Sequence, residues 1–134
     1  MQSDLLQAIN GARESGFRCG ATSYPAVAAL GWNDALAAAA TTHSFDMALH
    51  GTLTHLGSDG TALPLRVAGS GYTFTALAEN VAWNYASAAE VVDAWLQSPG
   101  HCANLMSASY REVGAACVRA ANGTPYWTVV LGNH

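Results

Sequence analysis

Ser98-Pro99-Gly100-His101-Cys102-Ala103-Asn104-Leu105-Met106 is the stretch whose reading organises the rest of the chain. Ser98 can act as an N-cap, and Pro99 suits the first helical position because its missing N–H would have no intrahelical partner there. His101 is then the third residue of a new helix. The partial positive charge of the helix terminus disfavours imidazolium at that point and keeps the ring neutral. Just upstream, Ser87-x-x-Glu90 ahead of Val91, Val92 and Trp95 matches a capping box, which predicts a helix ending near Gln97. Downstream the period changes. Residues 110–119 and 126–131 are strand-like runs bracketing Asn122-Gly123, a dipeptide favoured where a hairpin turn needs positive φ. With the apolar residues 80–83 as a third strand, the reading is of helices packed on a small antiparallel sheet.

The N-terminal half is helical by the same logic. Ser3 can cap a helix from Asp4 to Ser15, with Leu5, Leu6, Ile9 and Ala12 at helical spacing and Gly16 ending it. Residues 17–31 lack a long period and read as a loop, with a short turn around 25–30. Asn33 or Asp34 then caps an Ala-rich helix on which Leu36, Ala40, His43 and Met47 share one face, running to about His50. Residues 51–60 are turn-rich, 64–68 can form a short helix, and 69–76 read as a Gly/Ser/Thr linker pinned by Tyr72 and Phe74.

A chain of 134 residues, 51% hydrophobic, fits one compact domain with a sizeable core over 1–134. Five Arg, no Lys and nine acidic residues give a net charge of -4. Such a chain has no basic patch to release counterions from a phosphate backbone, so nucleic acid is not an expected partner. No apolar run approaches the roughly 20 residues that span a bilayer, so no transmembrane segment is expected. The first residues lack a signal-peptide pattern, and a bare Met1 followed at once by a helix is read as a chain whose leader has been removed. Cys19, Cys102 and Cys117 form no C-x-x-C pair, which disfavours a thiolate metal site, and an odd count leaves one thiol over or paired between chains.

Three polar stretches stand out in a chain only 10% charged: residues 54–60, Ala78-Glu79-Asn80, and 98–106. His55 lies in a turn and His101 near a helix start, where side chains distant in sequence can meet. Glu79 sits in an apolar surround, so its carboxylate must find a donor or a cation, for which His55 or His101 is a candidate. His101 could equally pack beside Pro99, and His55 alone reads as a surface or hydrogen-bonded residue. Glu90 is accounted for by the capping box, and His43 by a place in the core. The chain has no H-E-x-x-H, G-x-S-x-G, Walker A or G-x-G-x-x-G motif in the required context. Cys102 beside His101 is a poor nucleophile–base pair, since helical neighbours point about 100° apart. A disulfide is preferred for it.

The ordered series Leu30-Gly31-Trp32-Asn33-Asp34 with Leu36, His43 to Met47, His55 to Gly60, Arg66, Gly71-Tyr72, Glu79-Asn80-Val81-Ala82, Trp95 through Met106, Glu112-Val113-Gly114 and Tyr126-Trp127 resembles the CAP superfamily. These are the cysteine-rich secretory, antigen 5 and pathogenesis-related 1 proteins, and the similarity is strongest to the bacterial secreted, SCP-like branch. The resemblance covers almost the whole chain. It implies an α+β fold, an α-β-α sandwich with a central three- or four-stranded antiparallel sheet between helical layers. It also implies an open cleft with His55 and His101 as the histidine pair and Glu79 as the first acid, supported by Asn80. The second acid is expected three positions after the Trp, where this chain has Ser98. Glu90, two turns earlier on that helix, is a poor substitute.

Two neutral imidazoles plus water or a carboxylate can hold zinc or another divalent ion, here weakly and exchangeably through His55 and His101. Export of bacterial relatives suits a Cys19–Cys102 disulfide, worth roughly 4 kcal/mol in the chain-entropy model, with Cys117 left as a buried free thiol. The leading expectation is a secreted or periplasmic binding domain, its cleft taking a divalent ion, a small molecule, a lipid or a cell-envelope component. One alternative is a hydrolase of peptide or cell-wall bonds, for which His55, Glu79 and His101 are the catalytic candidates. The other is a non-catalytic interaction scaffold.

Overall fold

A computed structural model describes Met1–His134. In chain order the elements are α1 (Gln2–Ser15), β1 (Phe17–Cys19), β2 (Thr22–Tyr24), β3 (Gly31–Trp32), α2 (Asp34–His50), α3 (Leu63–Gly69), β4 (Ala76–Trp83), α4 (Ala88–Leu96), α5 (Pro99–Met106), β5 (Glu112–Arg119) and β6 (Pro125–Asn133). A four-stranded sheet with strand order β3-β5-β6-β4 lies between two helical layers. β5, β6 and β4 are antiparallel, and the two residues of β3 pair parallel to β5. Against the expectation of a three- or four-stranded antiparallel sheet, four strands are present, three of them antiparallel, and the short parallel edge is announced by no sequence period.

Strand alternation distributes the core. On one face Val113, Ala115, Trp127, Val129 and Leu131 meet Leu5 and Ile9 of α1, Val91, Val92 and Trp95 of α4, and Leu105 and Met106 of α5. On the other, Ala116 and Val130 meet Leu36, Ala39 and Ala40 of α2 and Val67 of α3. β6 is central and covered on both sides, which is why all but its last residue are buried. The alanines of α2 let its backbone settle onto β5 so closely that a Cβ on Gly114 would stand 2.0 Å from the Ala37 nitrogen. Ser44 of α2 and Thr128 of β6 bury their hydroxyls by hydrogen bonding to each other at 2.7 Å.

Helix boundaries follow the caps. Asn33 Oδ1 accepts from the N–H groups of Ala35 and Leu36 at 2.9 and 3.0 Å, so Asn33 and not Asp34 starts α2. Gly51 at φ 64 closes it just after His50. In α4 the Ser87 hydroxyl accepts from the Glu90 N–H, while the Glu90 carboxylate reaches back to the N–H of Ala86, one residue earlier than a reciprocal box requires. α1 begins at Gln2, so Ser3 lies inside its first turn and caps nothing. At the tip between β5 and β6, Gly123 alone takes positive φ, and Asn122 instead accepts the Thr124 N–H at 3.0 Å.

The stretch 17–31, expected to be a loop, contains the β1–β2 hairpin and β3. Strands of two and three residues are too short to display a period, so turn chemistry outweighed them in the sequence. The first strand of the hairpin ends at Cys19, which is disulfide-bonded to Cys102 of α5 across 83 positions of sequence with a Cα–Cα distance of 5.5 Å. Cys117 is free and half-buried. Arg13, 1% exposed, is a second tie: its guanidinium donates to the carbonyls of Ala28, Leu105, Ser107 and Tyr110, fastening α1 to the end of α5. Burial lowers its pKa from the usual arginine value. The outer edge of β4 is closed in the same spirit, with Trp95 Nε1 donating to the Val81 carbonyl at 3.2 Å and the Tyr110 hydroxyl to that of Leu77 at 3.4 Å.

Candidate functional site: two imidazoles at the edge of β4

Glu79 is the centre of the site. Its position on β4 faces the α2–α3 layer, and its side chain is 2% exposed. Oε1 accepts from His55 Nδ1 at 2.9 Å and Oε2 from Arg66 Nη2 at 2.6 Å. The cation expected from its burial is therefore Arg66 of α3, with His55 as the second donor; His101 does not reach it. Arg66 also donates through Nη1 to the carbonyls of His55 and Thr61, so one guanidinium holds both the carboxylate and the loop carrying His55. His43, fully buried on α2, donates Nε2–H to the Thr54 carbonyl and lies 4.0 Å from Glu79 Oε1. The ring of His55 is 61% exposed above this buried base.

Asn80, the next residue of β4, points to the opposite helical layer. Its Nδ2 donates to the His101 carbonyl at 3.1 Å and its Oδ1 accepts from Asn104 Nδ2 at 3.0 Å, which fixes the first turns of α5. Ser98 occupies the N-cap position of α5 but its hydroxyl caps no backbone N–H. It bonds instead to His101 Nδ1 at 2.9 Å. A neutral hydroxyl thus orients this ring at the position where a second acid was expected. Burial, and then the nearby His55, push the His101 pKa below its ordinary 6.5, so the ring is neutral at physiological pH.

The two imidazoles thus approach the edge of β4 from opposite layers. Each is held through Nδ1, and neither Nε2 has a partner in the protein. They line separate grooves: His101 stands with Leu53, Trp83 and Tyr85 around about 560 Å³, and His55 with Leu63, Pro64 and Glu79 around about 330 Å³. No group of three or more His, Cys, Asp or Glu side chains is set to hold a metal ion. With both oxygens of Glu79 engaged, the donors on offer are the two Nε2 atoms. Glu90 is engaged with the Ala86 N–H and plays no part in the site.

Arg66 is the residue that site reading from sequence left without a role. The signal was present, because a chain with five cations and one buried carboxylate offers few partners. The hydrogen bonds of Asn104 and Ser98 follow from helix geometry and carry no such signal.

A three-layer α-β-α sandwich with two histidines flanking a buried carboxylate on its edge strand defines an SCP-type domain. The chain belongs to the cysteine-rich secretory protein family, CAP, whose family model matches residues 6–131. Among solved structures it is similar to an outer surface protein from Borrelia burgdorferi, at TM-score 0.74 and 23% identity, covering 81% of this chain and 80% of that one. It is also similar to an extracellular protein containing an SCP domain from Bacillus anthracis, at TM-score 0.72 and 22% identity, covering 81% of this chain and 35% of that one. A curated relative, the uncharacterized membrane protein YlbC of Bacillus subtilis, is 30% identical over 93 residues, 69% of this chain. The chain spans 27% of the length of that relative. No helix here is long and apolar enough to cross a membrane.

Proposed function

We propose that this domain acts by binding, with His55 and His101 taking a divalent cation such as zinc, or the polar head of a small ligand, at the edge of β4. The observation that carries the reading is the shared anchoring of the two rings. The Glu79 carboxylate accepts the Nδ1–H of His55 and thereby leaves the Nε2 lone pair outward, the arrangement by which carboxylates orient metal-binding histidines. The groove beside His101, walled by Leu53, Trp83 and Tyr85, offers an apolar surface to the rest of a ligand, including a lipid or cell-envelope component. Hydrolysis is the weaker reading, because Ser98 supplies no second carboxylate and both oxygens of Glu79 are already engaged. The Cys19–Cys102 disulfide supports a secreted or periplasmic location, where such bonds persist.

Zinc calorimetry on the wild type and on His55→Ala/His101→Ala tests this. The double variant loses zinc binding while its circular dichroism spectrum stays unchanged, and Glu79→Gln weakens binding by about 10- to 100-fold through the misoriented His55. Equal affinity in wild type and double variant rejects the site.

A further inference from the structure

The corner that follows β4 carries two aromatic rings held out towards solvent. Trp83 and Tyr85 are 40% and 37% exposed, and with Leu53 they wall the groove of about 560 Å³ between the end of β4 and the start of α5. The corner is built to hold them there. Asn84 between them is the one residue other than glycine with positive φ, at 72°, and its N–H donates to the Pro125 carbonyl at 3.0 Å. The Tyr85 carbonyl accepts from Trp127 Nε1 at 2.9 Å, and the Trp83 ring meets Tyr126 edge-on with centroids 5.7 Å apart. Rings that are exposed and yet tied at three points lose little freedom on binding, as a preformed recognition surface requires.

The polar atoms of the groove define the ligand class. Of the four tryptophans, Trp32, Trp95 and Trp127 give their indole N–H to Asp34, the Val81 carbonyl and the Tyr85 carbonyl, and only that of Trp83 has no acceptor within the chain. His101, its Nδ1 bonded to Ser98, brings an open Nε2, while the Asn84 amide and the Tyr85 hydroxyl add groups that both donate and accept. The two buried atoms without a partner, Arg66 Nε and His43 Nδ1, belong to residues outside this lining and play no part in it. No Asp, Glu, Lys or Arg lines the groove, so a charged ligand would give up its hydration without a counter-charge. A hydrocarbon chain would leave four polar groups unmet. A proline-rich segment, which has carbonyls and no N–H, would engage the donors and leave the acceptors idle. Hydroxyls on a ring with C–H faces meet every group, whichever nitrogen of His101 carries the proton. Resting on the reading of this groove as a binding site, we propose that it takes a neutral saccharide, stacked on Trp83 and Tyr85 and hydrogen-bonded by Trp83 Nε1, Asn84 and His101.

The test is a ¹⁵N NMR titration of the protein, kept metal-free with EDTA, with N-acetylglucosamine tetramer and with maltotetraose, alongside a proline decamer and phosphatidylcholine vesicles. One of the saccharides shifts the Trp83 indole N–H saturably, together with the amides of Asn84 and Tyr85. Trp83→Leu keeps an apolar side chain against Tyr126, and Asn84→Gly keeps the positive φ, so both variants retain the amide spectrum of the fold. Each weakens saccharide binding about tenfold, the equivalent of one stacked ring or of the amide's hydrogen bonds. EDTA makes the outcome independent of zinc: calorimetric zinc uptake without saccharide shifts removes this proposal and leaves the metal site, and the reverse leaves this proposal alone. Absence of saturable shifts with both saccharides, an affinity that Trp83→Leu leaves unchanged, or saturation by the proline decamer or the vesicles in place of the saccharides would overturn it.

Discussion

Arg66 and Glu79 form a buried ion pair of 2.6 Å with side chains 6% and 2% exposed, and His55 rests on the same carboxylate. The pair joins α3 to β4, so the exposed imidazole is anchored to a buried ion pair through the second oxygen of Glu79.

Removing one member of that pair strands the other. Arg66→Ala leaves an uncompensated buried carboxylate and is expected to cost about 3–5 kcal/mol, whereas Arg66→Ala/Glu79→Gln recovers part of the loss because the charge is gone. Urea unfolding of the three proteins measures this. Equal losses in the single and double variants would show that charge pairing does not hold the edge of β4.

Cys19 and Cys102 join the β1–β2 hairpin to the helix that carries His101. Cross-linking across 83 positions is worth about 4.5 kcal/mol in the chain-entropy model. Cys19→Ser/Cys102→Ser is expected to unfold at correspondingly lower denaturant, and intact mass under non-reducing conditions should show one thiol open to alkylation after unfolding. Three alkylated thiols would contradict the bond.

Gly114 is required by the approach of α2. A Cβ there meets the Ala37 nitrogen at 2.0 Å and the Leu36 carbonyl carbon at 2.3 Å, backbone atoms that cannot turn aside. Gly114→Ala is expected to cost about 3 kcal/mol or more. Gly11→Ala, at a position of α1 with open space around the missing Cβ, should instead gain up to about 1 kcal/mol. Thermal unfolding compares the two, and a neutral Gly114→Ala would show that α2 can lift from the sheet without loss.

His101 makes stability depend on mild acidity. Its folded pKa lies below the 6.5 of the free side chain, so as pH falls below about 6.5 the unfolded chain takes up the proton first. Stability from this residue is complete above that value and declines as pH falls toward about 5, before carboxylates titrate. Unfolding free energies across the window should slope less steeply in His101→Gln than in the wild type. Identical slopes would assign the dependence to another group.

The legible parts of the fold were those with local chemistry behind them: Asn33 and Gly51 bounding α2, Ser87 starting α4, Ser98-Pro99 starting α5, and the two strand-like runs of β5 and β6 bracketing Asn122-Gly123. The illegible ones depend on distant residues. β3 exists because residues 31–32 happen to pass β5, and nothing in a dipeptide foretells a parallel partner 81 positions on. In the site, the burial of Glu79 was readable from its apolar neighbours, but its bond to Arg66 needed α3 to be placed. Ser98 was readable as a cap because caps are local, and its actual service to His101 depends on a rotamer. The core position of His43 followed from helical spacing, while its open Nδ1 did not.

Trp95 and Tyr110 give their donors to the outward carbonyls of Val81 and Leu77, and at the opposite border β3 is only two residues long. The β4 border therefore offers no uninterrupted ladder on which a foreign strand could template, whereas β3 covers only the first two residues of β5. Along the β4 border, contacts with a neighbouring chain are thus left mainly to side chains.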